Sequence, residues 1–460
     1  MKSKLIVKNF GAIKSASLDL RSVNVIIGPQ ASGKSTLAKL YTICNSPELY
    51  HNPVEKKFSY LSTIQNIHDL NVFKEVSIAK FKEALDDYSI LNCLKSNSEI
   101  EFISQTHSLK IKNNKIFFED KIDLKSIFDS FEKKDFDGVK KEFKKLAEIS
   151  DRFNFIYKFT IGWERYLRHD NSDIEKFDEY IQKNFNYNLD LTEREIKKII
   201  DSARVFKEQI FHNNPLYIPS ERTLVNIIKH AFISFKKFDI PIPNHLVNFT
   251  SIYTNATFKV KNLDISFLKP STFYKNVNGE DRIYFSSRKS IKLTESASGF
   301  QSILPILLPI IYEKNKESYP KLNYSFVIEE PETNLFPKAQ YDLLKILEKD
   351  RSDDFGKIDK GIVHIYTTHS PFILSSLNNL LFAFSKGTEK DSINEIDIDS
   401  IISKKSWINP NDFSAFQIID GKTKSVFNRK TGLIENNIID SVSEDIINDF
   451  RKIAYISASK

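Results

Sequence analysis

Two hydrophobic patterns alternate along the chain. At its start, Leu5-Ile6-Val7, Phe10-Gly11-Ala12-Ile13 and the alternating Ala16-Ser17-Leu18-Asp19-Leu20 predict strand, turn and strand. Val23 to Ile27 reads as a buried strand running straight into a glycine loop and a helix. Between about residues 46 and 214 glycine nearly vanishes, and Lys, Glu, Asp and Phe dominate with helical spacing. Ile127, Phe128, Phe131, Val139 and Phe143 show that spacing best, and a second helical run covers roughly 173–211. Inside this region Ser108-Leu-Lys-Ile-Lys and Lys115-Ile-Phe-Phe-Glu flank Asn113-Asn114, a hairpin signal.

From Leu216 the strand pattern returns. Leu216-Tyr217-Ile218-Pro219 is strand-like, and Phe258-Lys-Val with Arg282-Ile-Tyr-Phe predicts a further hairpin. Tyr324 to Ile328 and Ile362 to Tyr366 have the apolar character of central parallel strands. Ser414 to Phe427 alternates around Asp420-Gly421 as another hairpin, and a short amphipathic helix is expected near Glu444 to Ile453. The expected division is 1–120, an N-terminal lobe with hairpins; 121–213, a helical insertion; and 214–460, the rest of the core. The insertion is too short, and its heptads too broken, for a long coiled coil.

Composition narrows the class. With 460 residues and 41% hydrophobic content the chain can bury a large core. A net charge of +7 permits an acidic partner without requiring one. The lysine pairs Lys133-Lys134, Lys140-Lys141, Lys144-Lys145 and Lys197-Lys198 could meet phosphates, but interleaved acidic residues favour a solvated helix face. Cys44 and Cys93, with no clustering, argue against a disulfide framework or a zinc site. The longest apolar stretch, Ile303 to Ile311, is about half a membrane span and holds two prolines. A cytoplasmic protein with no membrane partner is expected.

Four motifs carry chemistry. Gly28-Pro29-Gln30-Ala31-Ser32-Gly33-Lys34-Ser35-Thr36 satisfies the phosphate-loop pattern, after a strand and before a helix. Its backbone N–H groups can cradle phosphate oxygens, Lys34 can reach the β- and γ-phosphates, and the Ser35 hydroxyl can ligate Mg²⁺. Ser325-Phe-Val-Ile-Glu329-Glu330-Pro331-Glu332-Thr-Asn-Leu-Phe-Pro337 delivers two carboxylates at a strand end, Glu329 toward the metal shell and Glu330 toward an attacking water. His369, in Thr367-Thr368-His369-Ser370, follows the next strand, where it can sense a γ-phosphate. Glu295-Ser-Ala-Ser298-Gly299-Phe-Gln301-Ser302 opens an apolar helix and forms a weaker second anion signal.

In this order the four motifs resemble the ABC/SMC-type ATPase heads. The likeness runs to compact bacterial ATPases of the overcoming-lysogenization-defect class and to the ATPase subunits of the Septu and PARIS anti-phage systems. It covers about 1–45 and 215–430 and implies an α/β P-loop NTPase of ABC ATPase-head type: a mixed sheet core, an antiparallel β subdomain and a helical insertion. It further implies ATP and Mg²⁺, and a head-to-head dimer in which Ser298 and Gly299 touch the γ-phosphate held by the other copy. Asn334 and Leu335 would form the D-loop across that interface, and Phe10 would contact adenine. This sequence departs from the pattern at Glu329, where many relatives have Asp, and it shows no Q-loop glutamine; Ser220-Glu221-Arg222 occupies the equivalent place.

Fewer than a hundred residues follow His369, too few for a Toprim nuclease domain, and Asp397-Ile-Asp399 is expected in a surface loop or edge strand. No HNH pattern is present. The favoured expectation is therefore a sensor-switch ATPase controlling a separately encoded effector, a nuclease, with DNA or a phage product as trigger and with a hexamer built from dimers as one possible assembly. The alternative is a DNA-repair or recombination head that clamps DNA.

Overall fold

The computed structural model describes residues 3–46, 49, 76–104, 107–120, 214–315, 324–349, 351, 362–389 and 394–458. The expected insertion at 121–213 and all four lysine pairs lie outside them. Strands β1 (Ser3–Phe10), β2 (Ile13–Leu20) and β3 (Val23–Ile27) lead into helix α1 (Lys34–Asn45). Helix α2 (Ile78–Asp87) precedes β4 (Leu94–Ile103), β5 (His107–Lys112) and β6 (Lys115–Asp120). The chain continues through β7 (Asn214–Ile218), α3 (Val225–Lys237), α4 (Asn244–Lys259), β8 (Asn262–Asp264), β9 (Phe273–Val277), β10 (Glu280–Ser286), β11 (Lys289–Lys292) and α5 (Ser298–Asn315). Strand β12 (Tyr324–Glu329), α6 (Pro337–Lys349), β13 (Val363–Thr368), α7 (Pro371–Gly387) and α8 (Asn394–Ile401) follow. Strands β14 (Phe413–Ile419), β15 (Lys422–Ser425), β16 (Phe427–Asn428), β17 (Leu433–Ile434) and helix α9 (Ile438–Ala458) come last.

One sheet unites most of the strands, in the order β6-β5-β4-β1-β2-β15-β14-β3-β13-β12-β7. Its β14-β3-β13-β12-β7 half is parallel, and its β6-β5-β4-β1-β2 half is antiparallel. The two halves meet at a single parallel pair, Lys422 with Ser15. All residues of β3, β12 and β13 are buried, as expected for parallel strands covered on both faces. Asn24 is the polar exception inside β3, and it is fully satisfied. Its amide donates to the carbonyls of Arg21 and His364, and its oxygen accepts from the Arg21 N–H and the Ser414 hydroxyl.

Register fixes what the sheet presents. Ile27 pairs with Thr368, and Thr367 with Glu329, so β3, β13 and β12 end at one level. Gly28, His369 and Glu330 each begin just beyond that level, at the carboxyl edge where open α/β sheets bind ligands. Two hydrophobic cores flank the sheet: one joins α3–α7 to it, and the other joins α1, α2 and the antiparallel half.

Three expectations change. Phe258 and Lys259 finish α4, and the partners of β10 are β9, across an Asn278-Gly279 turn, and β11. A three-residue apolar alternation is too short to outvote the helix before it. Asp397 and Asp399 lie in helix α8, rather than in a loop or edge strand. The last helix spans Ile438–Ala458 and is longer than the sequence pattern indicated. The hairpins at Asn113-Asn114 and Asp420-Gly421 form as expected, with all three non-glycine turn residues in the left-handed region.

A buried ionic group fastens α6 to β13. Glu348 Oε2 takes the Arg351 Nε–H at 2.6 Å, while Oε1 meets His364 Nδ1 at 3.0 Å and the Tyr366 hydroxyl at 2.7 Å. Burial alone would raise the Glu348 carboxyl; the charges of Arg351 and His364, with the hydrogen bonds, outweigh it and hold it below the usual carboxylate range. Burial also lowers His364, which keeps the ring neutral near pH 7. Since the folded-state value of Glu348, about 2, lies below its unfolded one, its contribution is complete above about pH 5 and is lost as pH falls through about 2. Arg351→Met, which strands the carboxylate, should cost about 3–5 kcal/mol in denaturant unfolding. Glu348→Gln should flatten the acid limb of the stability profile relative to wild type.

Candidate functional site

The phosphate loop occupies the gap between β3 and α1. Its shape requires glycine at two places. Gly33 has φ of 101°, and a Cβ there would sit 2.5 Å from Ile13 Cδ1; at Gly28 a Cβ would press on the Ile418 carbonyl at 2.8 Å. Helix α1 starts without a side-chain cap, so the N–H groups of its first turn remain available to an anion. Pro29, Gln30 and Ala31 are exposed at the loop's tip. Lys34 is buried beneath, donating to the carbonyls of Gly28 at 2.9 Å and Pro29 at 2.8 Å. Burial lowers its ammonium, against the opposing pull of Glu330, Glu332 and Glu329.

Strand β12 delivers those carboxylates. Glu329 is 2% exposed, and burial pushes its carboxyl above the ordinary range. Tyr217 and Ser35 face it and favour the charged form. Even so, neither Glu329 Oε1 nor the Tyr217 hydroxyl completes a hydrogen bond of proper geometry among the described residues, and Thr367 Oγ1 and Ser32 Oγ are also buried without partners. Orphaned buried oxygens at one strand edge are costly unless something else meets them. Ser35 beside an unsatisfied carboxylate suits a hard divalent cation with oxygen ligands.

Glu330 adopts φ of 42°, a left-handed conformation that L residues rarely take, while its N–H donates to the Thr367 carbonyl at 2.8 Å. This kink turns its side chain out of the strand, and Glu330 Oε1 lies 3.4 Å from His369 Nε2. The His369 ring also reaches the backbone of Gly28, and burial lowers its pKa, so it is neutral near pH 7. Glu332 locks the arrangement by accepting from the Thr368 hydroxyl at 2.7 Å and the His369 N–H at 2.8 Å. Glu330 and His369 stay about one-third exposed, open to a water.

Ser298 begins α5 and is exposed, whereas Gly299 packs on the Asn334 carbonyl, where a Cβ would stand at 3.3 Å. Among the described residues no hydrogen bond joins Ser298 or Gly299 to the phosphate loop. The structure thus brings Lys34, Ser35, Glu329, Glu330 and His369 together and leaves the Ser298 motif on its own face. Phe10 is fully buried in the second core, so its ring packs the antiparallel lobe and is closed to a base.

Arg222, named in the sequence only as part of the Ser220-Glu221-Arg222 stretch and given no role there, ties the site together. It is completely buried and spans the gap between the two motif groups. Its guanidinium donates to the carbonyls of Glu329 at 2.7 Å, Glu330 at 2.8 Å, Pro219 at 3.2 Å and Ser302 at 3.0 Å, and to the Ser302 hydroxyl at 3.2 Å. The Ser302 hydroxyl passes the link on to the Thr333 carbonyl at 2.8 Å. Burial lowers Arg222 to about 10, against the pull of Glu332 and Glu330, and it remains charged. Next to it Asn226 donates to the Gln301 carbonyl at 3.0 Å. Pro305 has no N–H for that carbonyl, so a side chain from α3 completes a helix that proline interrupts.

Two outcomes are expected. In the apo protein the raised carboxyl of Glu329 means that stability falls as pH climbs from the unfolded value through the folded one. Glu329→Gln should therefore melt about 2–4 °C higher at pH 8 while losing Mg²⁺-dependent turnover, by differential scanning fluorimetry and phosphate release. Arg222→Lys cannot supply five bonds. It should lower kcat at least about tenfold with nucleotide affinity nearly unchanged, because it disturbs the Glu330 kink and leaves the phosphate loop intact.

A family described as an AAA ATPase domain matches residues 1–374. No curated protein matches the chain. Among solved structures, the SMC head domain from Thermotoga maritima is 10% identical, with 92% of this chain and 98% of that one covered and a TM-score of 0.35. A Pyrococcus furiosus Smc head domain with an extended coiled coil, bound to the C-terminal domain of ScpA, is 9% identical over 98% of this chain and 99% of that one, at 0.34. The recombination mediator protein RecF is 11% identical over 93% and 98%, at 0.30. The domain match extends from the phosphate loop past the carboxylate strand and His369, and by it the chain belongs to the AAA ATPase domain family and is an ATPase.

Proposed function

We propose that the chain is a nucleotide-driven switch that binds MgATP on its phosphate loop, closes head-to-head with a second copy, and passes that state to a separately encoded effector, a nuclease of bacterial anti-phage defence. The observation that carries the closed dimer is the separation within one protomer: Ser298 is exposed and, among the described residues, is linked to Glu329 and Glu330 from behind, through Arg222 and Ser302. A second copy's phosphates would complete its anion site. Phe336, 78% exposed beside Asn334, and Phe372, 48% exposed after His369, add apolar surface near the same motifs.

In this reading the α1 N–H groups and Lys34 bind the phosphates, and Ser35 and Glu329 would hold Mg²⁺. That ion would draw charge from the β- and γ-oxygens. Glu330 orients the attacking water and takes its proton, while neutral His369 hydrogen-bonds near the γ-phosphate. A trigger, DNA or a phage product, would bias the open and closed states.

Mass photometry and phosphate release with MgATP test the switch. Glu330→Gln should abolish turnover and accumulate a dimer or a multiple of it, whereas Ser298→Arg in that background should return the monomer. A monomer throughout, with turnover unchanged by Glu330→Gln, would sink the composite site. Co-purification from native cells tests the effector. Steep, salt-sensitive DNA binding by the ATP-bound form would move the assignment to a repair-type clamp.

A further inference from the structure

We infer that Tyr217 and Thr367 are positioning residues of the cation site, their hydroxyls seating the Glu329 carboxylate and the hydration shell of the Mg²⁺ that Ser35 and Glu329 would hold. The inference rests on the proposed MgATP reading and adds to it two residues to which the sequence patterns give no role. Register places them. Val327 pairs with Tyr217, and Glu329 with Thr367, across parallel strands, and directly opposed residues share a face of the sheet. Val327 and Glu329 are two apart on β12, so Tyr217, Glu329 and Thr367 all lie on one face. That face carries α1, since Val327 and Tyr217 share a core with Leu37 and Leu40.

The Tyr217 ring is held on several sides. The rings of Tyr88 and His245 meet it edge-on at centroid distances of 5.4 and 5.8 Å, and Lys39 Nζ of α1 lies 5.8 Å over its face. Phenylalanine would fill that slot equally well, as valine would fill that of Thr367, so packing does not call for either oxygen. Yet Tyr217 is 5% exposed and Thr367 1%, and neither hydroxyl has a hydrogen-bond partner among the described residues. Glu329 Oε1 is in the same condition. A buried hydroxyl without a partner is a net loss to the fold. Here two of them flank an unsatisfied carboxylate oxygen, and one missing partner would serve all three.

The chemistry of a small divalent cation names that partner. Mg²⁺ gives up its waters reluctantly and keeps several of them in protein sites. Such a water has a lone pair committed to the cation and can only donate hydrogen bonds, so acceptors must meet it. A hydroxyl oxygen accepts one of these bonds and can pass its own proton to a carboxylate oxygen. Tyr217 and Thr367 suit both tasks, and hydrogen bonds of this kind fix the orientation of a ligating carboxylate.

Calorimetric titration with the non-hydrolysable analogue AMPPNP, once with Mg²⁺ and once with EDTA, is the test. The full chain carrying Ser298→Arg serves as parent, so that head-to-head closure does not enter. In EDTA, Tyr217→Phe and Thr367→Val should bind as the parent does, because the phosphate loop is untouched. With Mg²⁺ each should bind about tenfold more weakly than the parent. Without nucleotide or cation, Tyr217→Phe should melt no lower than the parent, since the lost hydroxyl had no partner. An unchanged Mg²⁺ dependence in either variant overturns the assignment of that residue and leaves Ser35 and Glu329 in place. So does equal weakening in EDTA, or a Tyr217→Phe chain that melts well below the parent, for the hydroxyl then serves the fold. If instead Ser35→Ala and Glu329→Gln leave the Mg²⁺ dependence intact, the cation reading itself fails and the inference falls with it.

Discussion

The parallel register of β3, β13 and β12 is the constraint on which the site depends. Because Ile27, Thr368 and Glu329 end their strands side by side, residues hundreds of positions apart in sequence share one edge. Each strand stops for its own reason: a glycine loop after β3, a left-handed glutamate after β12, and a serine-capped helix after β13, where Ser370 Oγ accepts from the N–H groups of Phe372 and Ile373. Moving any strand by one residue would exchange buried for site-facing side chains and separate Lys34 from Glu329.

That edge concentrates unfavourable groups. A buried carboxyl with an orphaned oxygen, an ammonium turned back onto its own loop, and a glutamate at positive φ are each costly in the isolated protein. Their cost makes physical sense if the folded scaffold is preorganised for a charged ligand, since groups already desolvated and aimed need no rearrangement when phosphate and metal arrive. The Glu348–Arg351–His364 group, deep between α6 and the start of β13, belongs to the rigid part of the same scaffold.

Arg222 turns the site from a cluster of motifs into a linked system. A single guanidinium holds the backbone of both Glu329 and Glu330 and one turn of α5, whose first residues carry the Ser298 motif. Any displacement of α5 is then felt at Glu330 without contact between Ser298 and the phosphate loop. Pro305 of α5 favours such an element: it frees the Gln301 carbonyl, which Asn226 satisfies, so the helix is seated by a side chain from α3 as well as by its own ladder.

The sequence by itself determined the strand-loop-helix of the phosphate site, the apolar central strands, the two turn-marked hairpins and the identity of the carboxylate and histidine motifs. These are local matters: a left-handed glycine, a run of buried β-formers and a pair of acids at a strand end are fixed by neighbours within a few residues. Only the tertiary structure decided the rest. Phe10 has the same alternating context as a base-contacting aromatic, yet its side face closes into the core. Arg222 reads as one more polar residue after a strand, because three of the carbonyls it serves, those of Ser302, Glu329 and Glu330, lie 80 and more positions away in sequence. Burial and long-range hydrogen bonding depend on which segments the fold brings together, and a linear pattern of polar and apolar positions carries no record of that meeting.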